Sequence, residues 1–248
     1  MVALHLNKKV DDFLSGYSKL EVPDERIEHK VEGSLLFERF EELRKQYEEI
    51  LAESPLDYHQ QGCSRITATL RPQQINSFLQ ATIKYGSHKN YSARTGNLIT
   101  RLIQNSHDAG NNKFTLNTKA LSKDIHNIGY KLRGKEGSLL EIIVVGNVGW
   151  ACASNAKNIG QICISGNVGN HCSNGAKNIK GIYIGGNAGA WCGTGAKNST
   201  FKTPNLKTLR LLKWYVPNDK NNKIYFIKAN SKEKRIWRLI EILNYRLW

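Results

Sequence analysis

Gly146-Asn147-Val148-Gly149 returns as Gly166-Asn167-Val168-Gly169 and again as Gly186-Asn187-Ala188-Gly189, and Ala156-Lys157-Asn158 returns as Ala176-Lys177-Asn178 and Ala196-Lys197-Asn198. These anchors recur after 20 residues, and a short fixed period marks a repeat architecture in which each unit buries its apolar face against the next. Ile162-Cys163-Ile164 and Ile182-Tyr183-Ile184 alternate between these anchors, long enough for one strand per unit and too short for a pair of helices. The unit reads as one coil of a parallel β-helix.

Glycine enters positive φ without a steric penalty, so Gly146, Gly149 and their equivalents read as corners. Equivalent residues in such a stack lie about 4.8 Å apart, the interstrand spacing, which predicts amide ladders at Asn147/Asn167/Asn187 and at Asn158/Asn178/Asn198. Cys152, Cys172 and Cys192 align as well and read as small apolar fillers of a narrow interior. His126-Asn127-Ile128-Gly129 stands 20 residues before Gly146–Gly149 and reads as a degenerate earlier coil, placing the start of the stack near residue 114. End coils expose unpaired strand edges, so the flanks are expected to cap them.

Gly166, Gly169, Gly175 and the Ile182–Ile184 strand resemble the GXGXG domain, the right-handed β-helix found at the C-terminus of the large glutamate synthase polypeptide and within the formylmethanofuran dehydrogenase complex. The resemblance covers roughly a third of the chain. Asn178-Ile179 stands where that family has paired glycines, and Gly193 aligns with Ser173 and Ala153. What the resemblance implies is assembly or scaffolding, with no catalytic residue handed over.

The expected fold class is α+β: a short right-handed parallel β-helix over residues 113–203, a helix-rich N-terminal domain and cap over 1–112, and a basic strand-helix cap over 204–248. Helices are predicted over Ser34–Ser54, from Pro72 to a stop at Gly86 with Ile75, Phe78, Leu79 and Ile83 buried, over a segment with Leu98, Ile99, Leu102 and Ile103 that stops at Gly110, and over Lys232–Tyr245. Arg65–Leu70 and Lys223–Lys228 alternate as strands, and Leu206–Trp214 reads as a strand or irregular cap.

Charge is uneven along the 248 residues. Residues 1–60 hold 8 Lys and Arg against 14 Asp and Glu, residues 61–200 hold 16 against 4, and residues 201–248 hold 12 against 3. An acidic head on a body of +21 suggests either internal pairing of head and body or a body made for a polyanion with the head restraining or orienting it, and the acidic helix over residues 34–54 is available to a protein partner. No 18-residue apolar run and no signal-like start occur, and five cysteines form no disulfide framework, so a reducing, cytoplasmic setting with no membrane partner is expected.

Lys157, Lys177 and Lys197 recur at one position of each coil; like charges at strand spacing repel, and a row of phosphates relieves that repulsion. Lys207, Arg210, Lys213, Lys232, Arg235 and Arg238, interleaved with Trp214, Tyr215, Tyr225 and Trp237, extend this candidate polyanion site toward single-strand stacking. The three-cysteine column beside His171 lacks paired ligand spacing, Gly189–Lys197 lacks the Gly-Lys-Ser/Thr ending of a phosphate loop, and His107-Asp108 has no nucleophile placed beside it. No metal, cofactor or catalytic residue is expected. The expected function is a non-catalytic β-helix scaffold for a polyanion such as RNA or a ribonucleoprotein, with a protein-assembly module or accessory subunit of a larger complex as the alternative.

Overall fold

The computed structural model describes residues 40–53, 61–137 and 140–227. The chain divides into two compact units, Met1–Lys45 and Gln46–Trp248. In the first, residues 40–45 are helical and Arg44 Nη2 pairs with Glu41 at 2.7 Å. The rest of the first unit, residues 34–39 of the expected acidic helix among it, lies outside the described residues, as does the helix expected over Lys232–Tyr245.

The second unit is α+β. Helices α1 (Pro72–Ala81) and α2 (Tyr91–Asp108) precede a parallel sheet of β1 (Lys113–Asn117), β2 (Glu141–Val145), β3 (Gln161–Ile164), β4 (Lys177–Ile184), β5 (Lys197–Thr203) and β6 (Lys223–Phe226). The sheet is open, its strands lie in chain order, and α3 (Leu206–Tyr215) interrupts the path from β5 to β6.

The expected strand pairing is found: Ile142 lies opposite Ile162 and Ile162 opposite Ile182, all parallel and 20 residues apart. One face carries the buried row Phe114, Ile142, Ile162, Ile182 and Phe201, adjacent in register. Parallel bridges form two further columns outside the sheet, Val148 to Val168 to Ala188 and Arg133 to Lys157 to Lys177. Three sides of each repeat are thus tied to the next by backbone contacts, and Cys152, Cys172, Cys192, Ala156, Ala176 and Ala196 are buried between them.

The segment expected as a degenerate coil pairs in parallel with the repeat that follows it, but out of the expected register. Lys113 pairs with Glu141, a separation of 28, and Arg133 pairs with Lys157, a separation of 24. Asn127 N–H donates to the Trp150 carbonyl at 2.7 Å and Lys131 N–H to Ser154 at 2.8 Å, so Asn127 belongs beside Ala151, not beside Asn147. Two inserts of four residues each, one before Ile125 and one between Arg133 and Glu141, account for the steps from 28 to 24 to 20. A constant period cannot register them.

Helix α2 covers the free edge of this first coil. Its Thr100 Oγ1 donates to the Asn127 carbonyl at 3.0 Å and accepts Gly129 N–H at 2.8 Å; Gln104 accepts Arg133 N–H and donates to its carbonyl, each at 3.0 Å. These side chains satisfy the backbone groups that a preceding coil would otherwise satisfy, which is what an unpaired edge requires. Gly96 lies so close to the His126 carbonyl that a Cβ there would collide with it. Helix α1 does the same for β1: Gln80 Nε2 donates to the Asn117 carbonyl at 2.6 Å and Asn76 Oδ1 accepts Asn117 N–H at 2.8 Å.

Three local expectations are corrected. Arg65–Leu70 forms no strand, because its carbonyls at Ile66 and Ala68 are taken by Asn105 Nδ2, each at 3.0 Å, rather than by a neighbouring strand. The helix opened by Pro72 tightens into a 3-10 turn over Thr82–Tyr85, which swings Ile83 into solvent. Leu206–Trp214 is the helix α3, started by Asn205, whose Oδ1 accepts Thr208 N–H at 3.0 Å. Thr208 and Leu212 then fall on its buried side.

Candidate functional site

Each clear coil ends in two overlapping turns, Ser154 N–H to the Ala151 carbonyl at 3.1 Å and Ala156 N–H to Ala153 at 3.2 Å, repeated at Asn174/His171 and Ala176/Ser173. The turns place left-handed backbone at alternate residues, Ala151 with φ 55°, Ala153 53° and Asn155 56°, and Asn158 just beyond them has φ 57°. The chain leaves this ribbon at Lys157, Lys177 and Lys197. Their backbone amides bond the preceding coil, Lys177 N–H to Ala156 and Lys197 N–H to Ala176 at 2.9 Å each, and free the side chains for the surface.

Lys157 is half-buried and Lys177 and Lys197 are exposed, one per coil in adjacent register. Arg133 heads the same column through its bridge to Lys157. Sequence reasoning missed it because the inserts hide its register; the signal was the Leu132-Arg133-Gly134 string, an apolar residue, a cation and a turn residue, as in Ala156-Lys157-Asn158. Alongside runs a true amide ladder, Asn178 Nδ2 to Asn158 Oδ1 at 2.9 Å and Asn198 Nδ2 to Asn178 Oδ1 at 3.0 Å, which fixes the edge that carries the cations. The Asn147, Asn167 and Asn187 column differs from the expected amide ladder: Asn147 Oδ1 accepts Asn167 N–H at 2.9 Å and Asn167 Oδ1 accepts Asn187 N–H at 2.8 Å, because the corner backbone there needs an acceptor, while Asn187 Oδ1 accepts Asn205 Nδ2 at 3.2 Å.

No described carboxylate forms an ion pair with Arg133, Lys157, Lys177 or Lys197; the described ion pairs of the second unit gather around Glu49 and Glu53, with Arg65 at 2.6 Å and Arg94 at 3.5 Å from Glu53. Among the described residues the column is therefore uncompensated, with like charges roughly 5 Å apart at their Cα atoms.

A second basic row lies on α3. Helical geometry brings Lys207, Arg210 and Lys213, spaced three apart, onto one exposed face with Trp214, which is 83% exposed. Thr208 Oγ1 accepts Ala188 N–H at 2.9 Å and donates to the Gly186 carbonyl at 2.8 Å, anchoring the helix on the corner of the last clear coil. Lys232, Arg235 and Arg238, the remaining expected members, lie outside the described residues.

Trp191 and Trp150 were missed as candidates. Trp191, 48% exposed, stacks on His171 with ring centroids 4.9 Å apart and lies 6.4 Å from Tyr215 of α3. Both His171 and Trp191 hold positive φ, 60° and 55°, a conformation that costs a bulky residue about 1–2 kcal/mol. The repeat imposes it, since both occupy the turn position of Ala151.

The remaining candidates are absorbed by the fold. Hydrogen bonding to Cys172 and complete burial push the Cys152 and Cys192 thiols well above their ordinary range. Burial pushes Cys163 up to about 12. Among the described residues no group of three or more His, Cys, Asp or Glu side chains is placed to hold a metal ion. The amides of Gly189, Gly193 and Lys197 are spent on the preceding coil rather than pointed at a ligand. His107 is buried with both ring nitrogens engaged, by the Asn111 carbonyl at 3.2 Å and Lys135 N–H at 3.3 Å. No described helix is long and apolar enough to cross a membrane.

No family model, curated protein or solved structure matches the chain.

Proposed function

We propose that the repeat is a short right-handed parallel β-helix of the GXGXG type, and that it works as a non-catalytic scaffold whose cation column docks a nucleic acid such as RNA. The observation that carries this reading is the uncompensated row of Arg133, Lys157, Lys177 and Lys197, held at strand spacing on a backbone that leaves those side chains no internal ion-pair partner among the described residues. Repulsion within such a row is relieved by a linear anion, and release of its condensed counterions supplies the affinity. The basic face of α3 with Trp214 adds a stacking surface of the kind single strands use. Electrophoretic mobility with generic RNA and DNA across a salt series tests it: binding that weakens steeply with salt is expected, and no binding at low salt would reject it.

A second reading, a cytoplasmic assembly module docking a partner protein, is favoured by β6, the open edge of the sheet, where Tyr225 and Phe226 stand exposed. Cross-linking and mass analysis in the absence of nucleic acid separate the two.

A further inference from the structure

The cation column stops at Arg133 for a structural reason: Gln104 of α2 occupies both backbone groups of that residue, so no further coil can add there. At this point α2 and the first coil leave a cavity of about 480 Å³. Arg101 from α2 and Lys131, Arg133 and Lys135 from the coil line it, against one carboxylate, Asp108, in the described lining.

The four charges are positioned, and no described carboxylate pairs with them. Arg101 spends Nε on the Ile66 carbonyl at 3.1 Å and Nη2 on the Ser64 carbonyl at 3.4 Å, Lys131 Nζ rests 5.1 Å from the centre of the Tyr130 ring, and Lys135 Nζ donates to the Asp108 carbonyl at 3.1 Å. The Asp108 carboxylate accepts from Gln104 Nε2 at 3.1 Å and pairs with none of the four. Buried Leu132 and Cys63 supply apolar wall, and a concave site with low-dielectric walls focuses the field of its charges.

We propose that this cavity binds the terminal phosphate of a nucleic-acid chain whose internal phosphates lie along Lys157, Lys177 and Lys197. The inference rests on the polyanion reading and deepens it. Arg133 belongs to both the column and the cavity wall, so a chain following the column presents its end, not its middle, where α2 blocks the way. A terminal monoester carries about −1.5 to −2 charges and three free oxygens, against a single charge on an internal diester. It is the better match for four convergent cations, of which Arg133 carries a guanidinium with no bond to the described residues, suited to two oxygens at once.

The test is fluorescence anisotropy with one single-stranded RNA of about 12 nucleotides, prepared with a 5′-phosphate, a 3′-phosphate or hydroxyls at both ends. Phosphate at one of the two ends should tighten binding about tenfold or more. Lys131→Gln, on an exposed side chain, and Arg101→Gln should each shrink that advantage and leave the affinity for the hydroxyl-ended chain nearly unchanged, whereas Lys197→Gln should weaken all three alike. Equal affinities for the three chains would overturn the inference and leave the polyanion reading standing; no binding of any chain at low salt would overturn both.

Discussion

His126 Nδ1 accepts the backbone N–H of Trp150 at 3.1 Å while the two rings stack with centroids 5.8 Å apart and 20° between their planes. Only a neutral imidazole offers a bare Nδ1, and burial lowers the His126 pKa below its usual value, with Asp124 opposing. A depressed folded pKa means stability that is present above the unfolded value and lost as pH falls through the folded one. The melting temperature should therefore decline below about pH 6.5, and the decline should be smaller in His126→Gln. Thermal melts of both proteins between about pH 8 and pH 5 check this, with parallel curves as the contrary result.

Replacing Lys157, Lys177 and Lys197 together by Gln deletes three charges and no hydrogen bond between coils, because those bonds are made by backbone amides. Stability should hold or rise slightly. The log–log salt dependence of nucleic-acid binding should flatten by roughly 2 to 3 in slope, and an unchanged slope would remove the column from the binding surface.

Asn178 sits at the centre of the amide ladder with φ 57°. Asn178→Gly loses the ladder but keeps the conformation, and Asn178→Ala loses both, so urea denaturation should rank wild type above Gly and Gly above Ala. The alanine variant should lose about 1–3 kcal/mol. A glycine variant less stable than the alanine one would mean that backbone strain at this turn is negligible.

A methyl group at Gly96 has no room against the His126 carbonyl. Gly96→Ala should push α2 off the first coil at a cost of about 1–3 kcal/mol or more, despite alanine's better helix propensity. Amide exchange would show it first at Gly129 and Arg133, whose N–H groups are held by α2 side chains; protection equal to wild type there would argue against close packing as the reason for the glycine.

The parts of this fold that were legible are those in which one environment recurs. Ile142, Ile162 and Ile182, the three lysines and the outer asparagine ladder share surroundings coil after coil, so identical residues announce identical roles. The first coil was misaligned because its inserts shift Arg133 against Lys157 by four residues without altering composition, and pairing, not pattern, sets register. Leu206–Trp214 misled for another reason. Its apolar residues suit a strand nearly as well as a helix, and the Asn205 cap that settles the matter draws on a single hydrogen bond. The cavity beside Arg101 has no linear signature at all, since its charges come from segments about thirty residues apart that only the docking of α2 unites.

Because α2 at one end and Thr208 at the other take backbone groups that every repeat offers, the segment between them should tolerate a change in the number of its repeats. Duplicating residues 146–165 in frame would lengthen the molecule by one rung of about 4.8 Å and add one lysine to its row, while both end fittings stay as they are. The reach of such a surface would then be set in whole numbers, one lysine for each added copy of the 20-residue phrase.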